Sequence, residues 1–323
     1  MNPSHGWTDT NGIRMHFVEQ GQGPLVLLCH GWPETWHTWR HQLPALAAAG
    51  FRAIAPDQRG YGETDSPESV EAYDIFNLVG DLVGLVQALS EEQAFVVGHD
   101  WGSIVAANAA LLRPDMFKAL GMLSIPYIPR MKVSPKALYQ LLTAERNFYQ
   151  DYFQTPGRAE QELDHDPKRS LSGIIYEGCA EAEPAARGSF VFFDKNTRLV
   201  DNLVIPEKLP TWLAQTVFDE MVNAFIRSGF RGGLNWYRNM HRNWMMTSFL
   251  DGAKVQQPGI YIGGDQDEAL TMVAEQVEAL HQNVPNLRGK HILQGVGHWT
   301  QQERPEEFNA LLIPFLLQCG REV

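Results

Sequence analysis

The sequence predicts an α/β protein: a mostly parallel central sheet with helices on both faces and a helical cap inserted between two of its strands. Three observations carry that expectation. Short apolar runs of strand length alternate with helical periodicity from Ile13 to Ile125. The same alternation returns at Gly259 and continues through the last third of the chain. Between them, from about Pro126 to Phe249, lies aromatic-rich helical text with no strand rhythm.

Taken in order, Ile13 to Glu19 alternates like a surface strand, whereas Pro24-Leu25-Val26-Leu27-Leu28-Cys29 and Phe51-Arg52-Ala53-Ile54-Ala55-Pro56 read as strands covered on both faces. From Tyr73 to Ser90, Ile75, Leu78, Val79, Leu82, Val86 and Leu89 recur at three- and four-residue spacing, which is one face of an amphipathic helix. Ala94-Phe95-Val96-Val97 is a buried strand, Ser103 to Ala110 an alanine-rich helix, and Ala119 to Ile125 a further strand. Gly259-Ile260-Tyr261-Ile262 and His291-Ile292-Leu293 supply two more, and a closing helix begins near Pro305. Thr155-Pro156-Gly157 and Gly229 to Gly233 break the cap text. The chain is thus divided into a first core part (1–128), a helical cap or lid (129–248) and a second core part (249–323). Such an insertion sits over the carboxyl ends of the strands, where open α/β sheets keep their sites.

A chain of 323 residues, 44% hydrophobic and 20% charged, can bury a large core. A net charge of −12 with no basic run offers no phosphate footprint, so nucleic acid is not an expected partner. The beginning, Met1-Asn2-Pro3-Ser4-His5-Gly6, has no basic region followed by an apolar stretch, and no apolar run approaches the roughly 18 residues of a membrane helix. A cytoplasmic protein, monomeric or homodimeric, is expected. Cys29, Cys179 and Cys319 are few, odd in number and scattered, which reads as buried free thiols rather than a disulfide framework or a zinc site. Neither metal nor cofactor is expected.

The chemistry centres on Gly98-His99-Asp100-Trp101-Gly102, where a buried strand meets a helix at a sharp turn. This is the setting of the G-x-S-x-G nucleophile elbow, with Asp100 in place of serine. A carboxylate is already ionised at neutral pH and needs no base for its first step. It suits displacement at a saturated carbon better than attack on an ester. His30-Gly31-Trp32-Pro33 follows a buried strand and is either an ordinary strand-ending turn or one that aims the Trp32 amide outward. In the second case Trp32 and Trp101 amides form a two-donor oxyanion hole. Gly295-Val296-Gly297-His298-Trp299 puts His298 on a loop after the last strand, as a mobile-proton group or a hydrogen-bonded structural one. Gly263-Gly264-Asp265-Gln266-Asp267 offers two acids, one to orient the imidazole and one for a turn or helix cap. Asp57-Gln58-Arg59-Gly60-Tyr61-Gly62 reads as a turn fixed by hydrogen bonds and an ion pair, and His99 as structural.

The order nucleophile, acid, histidine is that of α/β-hydrolase triads. Over nearly its whole length the chain resembles the soluble epoxide hydrolases of that fold. The matching text includes His30 to Glu34, Ala55 to Gly62, Gly98 to Gly102, Tyr152-Phe153-Gln154-Thr155-Pro156-Gly157, Gly233 to Asn239 and Gly297 to Pro305. The resemblance implies an ether-bond hydrolase that turns a small apolar epoxide and water into a vicinal diol, with Asp100 as nucleophile, His298 as base and Asp267 as orienting acid. It also implies that Tyr152 and Tyr237 reach from the cap to the epoxide oxygen. From the residues alone, each tyrosine reads as cap packing among Phe148, Tyr149, Phe153 and Trp236. Trp32, Trp101, Trp236 and Phe153 are the expected walls of the substrate pocket.

Two alternatives share parts of this pattern. A haloalkane or haloacid dehalogenase uses the same covalent ester and the same histidine-activated water, and a ligand receptor on a hydrolase fold would carry a broken or idle triad. A serine esterase is disfavoured, because Asp100 holds the elbow and Ser103 lies three residues into the following helix.

Overall fold

The computed structural model describes residues 3–322, so Met1, Asn2 and Val323, at the ends of the expected core parts, lie outside the described residues. The first core part holds β1 (Ser4–Thr10), β2 (Ile13–Gly21), β3 (Leu25–Cys29), α1 (Gln42–Ala48), β4 (Arg52–Pro56), α2 (Ile75–Ala88), β5 (Ala94–His99), α3 (Trp101–Leu112) and β6 (Phe117–Leu123). There follow α4 (Pro135–Leu142), β7 (Asn147–Phe148), α5 (Tyr149–Tyr152), α6 (Arg158–Leu163), α7 (Pro167–Gly178), β8 (Phe192–Phe193), α8 (Gln215–Ser228), α9 (Arg231–Arg238) and α10 (Met240–Met246). The chain then returns to the sheet with β9 (Gly259–Gly264), α11 (Glu268–Glu278), α12 (Leu280–Asn283), β10 (Leu287–Leu293), α13 (Thr300–Glu303) and α14 (Pro305–Gly320).

Eight strands form one sheet in the order β1-β2-β4-β3-β5-β6-β9-β10, while β7 and β8 make a separate two-stranded ribbon. The pairs from β4 to β10 are parallel, whereas β2 is antiparallel to both its neighbours, β1 and β4, and so alone runs against the other strands. This is the expected α/β-hydrolase architecture. β1 has no counterpart in the sequence reading, because Ser4 to Thr10 is largely exposed and contains no apolar run. It joins β2 through Asn11-Gly12, both at positive φ, as a two-residue hairpin requires. Nor is β2 a surface strand: it pairs with β1 and β4, and Met15, Phe17 and Val18 are buried.

Successive strand residues face opposite sides. Val26 and Leu28 therefore pack with Leu43, Leu46, Phe308, Leu312 and Leu316 of α1 and α14, whereas Leu25 and Leu27 join Leu78, Leu82 and Val105 of α2 and α3. Burying each such side chain contributes about 1.5–3 kcal/mol. The α2 stripe is buried as its spacing predicts, and the Asp74 carboxylate accepts the Asn77 amide at 3.0 Å to cap its first turn. Cap residues Phe153, Leu163, Phe225 and Tyr237 belong to the same apolar cluster as the upper face of the sheet. Because β3, β5, β6, β9 and β10 run the same way, the turns leaving them share one edge.

Candidate active site

Asp100 occupies the bend between β5 and α3 with φ 51° and ψ −119°, a conformation that costs a non-glycine residue about 1–3 kcal/mol. Close backbone approach enforces it. A Cβ added at Gly98 would lie 2.1 Å from the Gly102 carbonyl oxygen, and one at Gly31 would lie 2.5 Å from the Asp100 Cβ. The bend turns the carboxylate toward the turn after β3, the neighbouring strand. There the Trp32 amide donates to Asp100 Oδ1 at 2.9 Å, and the Trp101 amide at the start of α3 donates to the same carboxylate. One N–H from the turn after β3 and one from the start of α3 favour negative charge there.

His298, on the turn after β10, places Nε2 4.0 Å from Asp100 Oδ2 and Nδ1 3.1 Å from Asp267 Oδ1. Asp267 follows β9 and does two jobs at once: it holds the imidazole and caps α11 by accepting the Ala269 amide at 2.9 Å. Asp265 instead accepts the Gly295 amide at 2.7 Å and so shapes the loop that carries His298. Ser124, just past β6, gave no signal in the sequence. Its hydroxyl donates to Asp267 Oδ2 at 2.6 Å and lies 3.0 Å from His298 Nδ1. Glu34 was likewise missed. Its carboxylate accepts the Gly31 amide at 2.9 Å and lies 2.7 Å from His99 Nδ1, while His99 Nε2 donates to the His298 carbonyl at 2.8 Å. His99 is thus a strut between the Trp32 turn and the His298 loop. The Asp57 segment is held by His16 at 2.8 Å and by the Arg59–Asp81 ion pair at 2.5 Å.

These contacts set the charges. Burial works against protonated His298, but the charges of Asp267, Asp100 and Glu34 and the Asp267 hydrogen bond lift it to about 9. Burial likewise opposes ionised Asp267, yet His298, the Ser124 hydroxyl and the Ala269 amide hold it below the usual carboxylate range. Burial opposes ionised Glu34 as well, and His99, Thr38 and the Gly31 amide bring it down to about 2. For Asp100 burial prevails and raises the carboxyl, against His298, His99 and the two amides.

The structure corrects one of the two tyrosines expected from the cap and keeps the other, Tyr237. Tyr152 is not at the elbow: its hydroxyl donates to Glu162 at 2.6 Å, Arg158 covers its ring at 3.6 Å, and Phe193 packs beside it. One helical turn earlier, Tyr149 points inward instead. Its ring lies 5.8 Å from that of Tyr237, whose own ring meets Trp101 at 5.1 Å and Trp32 at 5.9 Å. Burial raises both phenols, and the Asp100 charge raises them further. Positions 149 and 152 lie only about 60° apart around this four-residue helix, so helical spacing does not separate them and tertiary packing decides which faces the sheet.

Residues 24–163 match the family described as alpha/beta hydrolase fold. The chain is 42% identical to Epoxide hydrolase A of Mycobacterium tuberculosis across 97% of each chain, and 38% identical to Epoxide hydrolase B of that organism across 98% of this chain and 99% of the relative. Among solved structures it superposes on an epoxide hydrolase from an endophytic Streptomyces with a TM-score of 0.94 at 46% identity, covering 97% of this chain and 95% of that one. The chain belongs to the epoxide hydrolase family of the α/β-hydrolase fold. With relatives of this identity over its full length, the dehalogenase alternative is set aside.

In this epoxide hydrolase the space over Asp100 is walled by aromatic rings from both parts. Phe153 packs at 5.3 Å from Trp32 and 5.1 Å from Tyr237, and Phe190, absent from the sequence reading, touches Trp32 and Tyr149. Trp236 is 1% exposed and spends its indole N–H on the Arg59 carbonyl at 3.1 Å, so it backs the wall behind Trp101. Two cavities of about 530 and 510 Å³ open elsewhere along the cap, near Arg227 and Arg238, and neither includes Asp100. The Asp100 side chain itself keeps 16% exposure, enough for a small reactant to meet it.

Proposed function

We propose that this epoxide hydrolase converts its substrate to a vicinal diol through a covalent ester on Asp100. The observation that carries the reading is the disposition of that carboxylate, with Oδ1 on the Trp32 amide at 2.9 Å and Oδ2 at 4.0 Å from His298 Nε2. Asp100 Oδ2 attacks one ring carbon and the C–O bond of the epoxide breaks. The departing alkoxide is a poor leaving group and needs a proton or strong hydrogen bonds. Tyr149 and Tyr237 supply these, since phenols with raised values stay protonated at neutral pH. Tyr152 is left as a packing residue.

Ester formation removes the negative charge of Asp100, one of the causes that lift His298. The imidazole then loses its proton more readily and takes one from water, with Asp267 and Ser124 fixing its orientation. That water attacks the Asp100 carbonyl carbon, and the Trp32 and Trp101 amides hold the resulting oxyanion. Collapse breaks the ester C–O bond, the departing diol oxygen takes the proton from the imidazolium, and the proton left on the Asp100 carboxyl returns to the cap phenol as the carboxylate is restored. The aromatic walls fit an apolar epoxide. A cytoplasmic location accords with three unpaired, buried cysteines, and the chain acts as a monomer or homodimer.

A single turnover of styrene oxide in ¹⁸O-labelled water tests the ester. The first cycle is expected to place the label in the Asp100 carboxylate and leave the diol unlabelled. Label in the first diol would overturn the reading.

A further inference from the structure

Tyr149 is followed at once by Gln150, and the two side chains meet: Gln150 Nε2 donates to the Tyr149 hydroxyl oxygen at 2.8 Å. The amide is held from behind by the Tyr139 hydroxyl, which donates to Gln150 Oε1 at 3.3 Å. Tyr139 is 5% exposed, and its one hydroxyl proton is shared between Gln150 Oε1 and Met240 Sδ, which lies at 2.9 Å. The Tyr149 ring also packs against that of Tyr237 at 5.8 Å.

A phenol has one proton to give. If its neighbour accepts that proton, the hydroxyl is spent inside the protein and cannot serve a substrate oxygen; if its neighbour donates, the proton is free. A primary amide can do either, according to which end it presents. Here the Tyr139 contact engages the acceptor end and leaves the donor end for Tyr149.

We infer that Gln150 is a positioning residue for epoxide opening: it presents an N–H to the Tyr149 oxygen, leaves the Tyr149 proton aimed at the substrate oxygen, and shares the charge that gathers on the phenol as the ring opens. The inference rests on the assignment of Tyr149 to the epoxide oxygen. Tyr237 packs edge-on against the Trp101 ring at 5.1 Å, and Trp101 acts to lower the Tyr237 phenol against the larger effect of burial. The Gln150 bond favours a charged Tyr149 oxygen, in opposition to burial and to the charges of Asp100 and Asp267. The groups facing the pair are Tyr139, Tyr237, Asp100 and Asp267, with Asp151 acting on Tyr139.

The test replaces the donor by an acceptor of the same shape. Gln150→Glu presents a carboxylate that captures the Tyr149 proton, whereas Gln150→Met keeps the length and removes the bond. Rapid-quench measurement of ester formation with styrene oxide is expected to show Gln150→Glu slowed about tenfold or more at pH 7, with Gln150→Met affected less. Below about pH 5, where a glutamic acid is protonated and can donate again, the ratio of Gln150→Glu to wild type is expected to recover. A structural defect would leave that ratio independent of pH and would overturn the inference. In a Tyr149→Phe background, neither Gln150 change should slow the step further. Equal losses in both backgrounds would also overturn it, and this comparison holds even where one single variant folds poorly. If Tyr149→Phe leaves ester formation unchanged, the assignment of the tyrosine fails first, an outcome distinct from an indifferent Gln150 beside an essential Tyr149.

Discussion

His298 Nε2 stands 4.0 Å from Asp100 Oδ2, beyond hydrogen-bond reach. The imidazole is therefore not the partner that activates the carboxylate, and the gap suits a bridging water about 2.8 Å from each atom. Proton transfer belongs to the second half of the reaction, when water attacks the ester.

His298→Gln is accordingly expected to form the ester and hold it. Intact-mass measurement after mixing with excess styrene oxide should find one substrate mass added per chain, located on the peptide containing Asp100. Absence of the adduct in a folded variant would show that His298 is needed before the ester forms.

Ester hydrolysis should rise with pH to an inflection below about 9, the value that His298 holds while Asp100 is charged. Its stabilising contribution runs the other way. Because the folded-state value of about 9 lies above the ordinary 6.5, that contribution is complete below pH 6.5 and is lost as pH climbs through 9, on the order of 3 kcal/mol in total. Thermal unfolding of wild type and His298→Gln between pH 6 and 9.5 checks this, and the gap between the two should close at the alkaline end.

The cap tyrosines should separate cleanly. Tyr149→Phe and Tyr237→Phe are each expected to slow ester formation by roughly a hundredfold, in line with general acid assistance. Tyr152→Phe should leave that rate near wild type and lose about 1 kcal/mol of stability with its Glu162 contact. Pre-steady-state fluorescence and chemical denaturation distinguish the two classes.

Ser124→Ala removes a hydrogen bond to the Asp267 carboxylate, a type of contact that contributes about 1.5–3 kcal/mol. Ester hydrolysis is expected to fall about ten- to hundredfold, while ester formation, in which Asp267 takes no part, stays unchanged. Single-turnover rates for the two steps provide the check.

Much of this was legible in the sequence because it is local. The elbow is written in the pair Gly98 and Gly102 around Asp100, and the order of strands and helices follows from apolar periodicity. Edge strand β1 was not legible, since pairing rather than apolar content makes it a strand. Ser124 and Glu34 act through contacts 143 and 65 residues away in the chain, to Asp267 and His99, and nothing in their immediate neighbours announces this. The choice between Asp265 and Asp267 had a similar basis, because both lie in one turn and only the returning His298 loop separates their tasks. Tyr152 was misplaced for the same reason: in an aromatic segment, the packing of Phe153 and Phe190 decides which phenol turns inward.

The His298 amide donates to the Gly178 carbonyl at 2.7 Å, and the Ala180 amide to Glu303 at 3.0 Å, so the far end of α7 is stitched to the loop that bears the base. This end of the cap and the base are therefore held in one frame, so that whatever shifts the end of α7 shifts the imidazole with it.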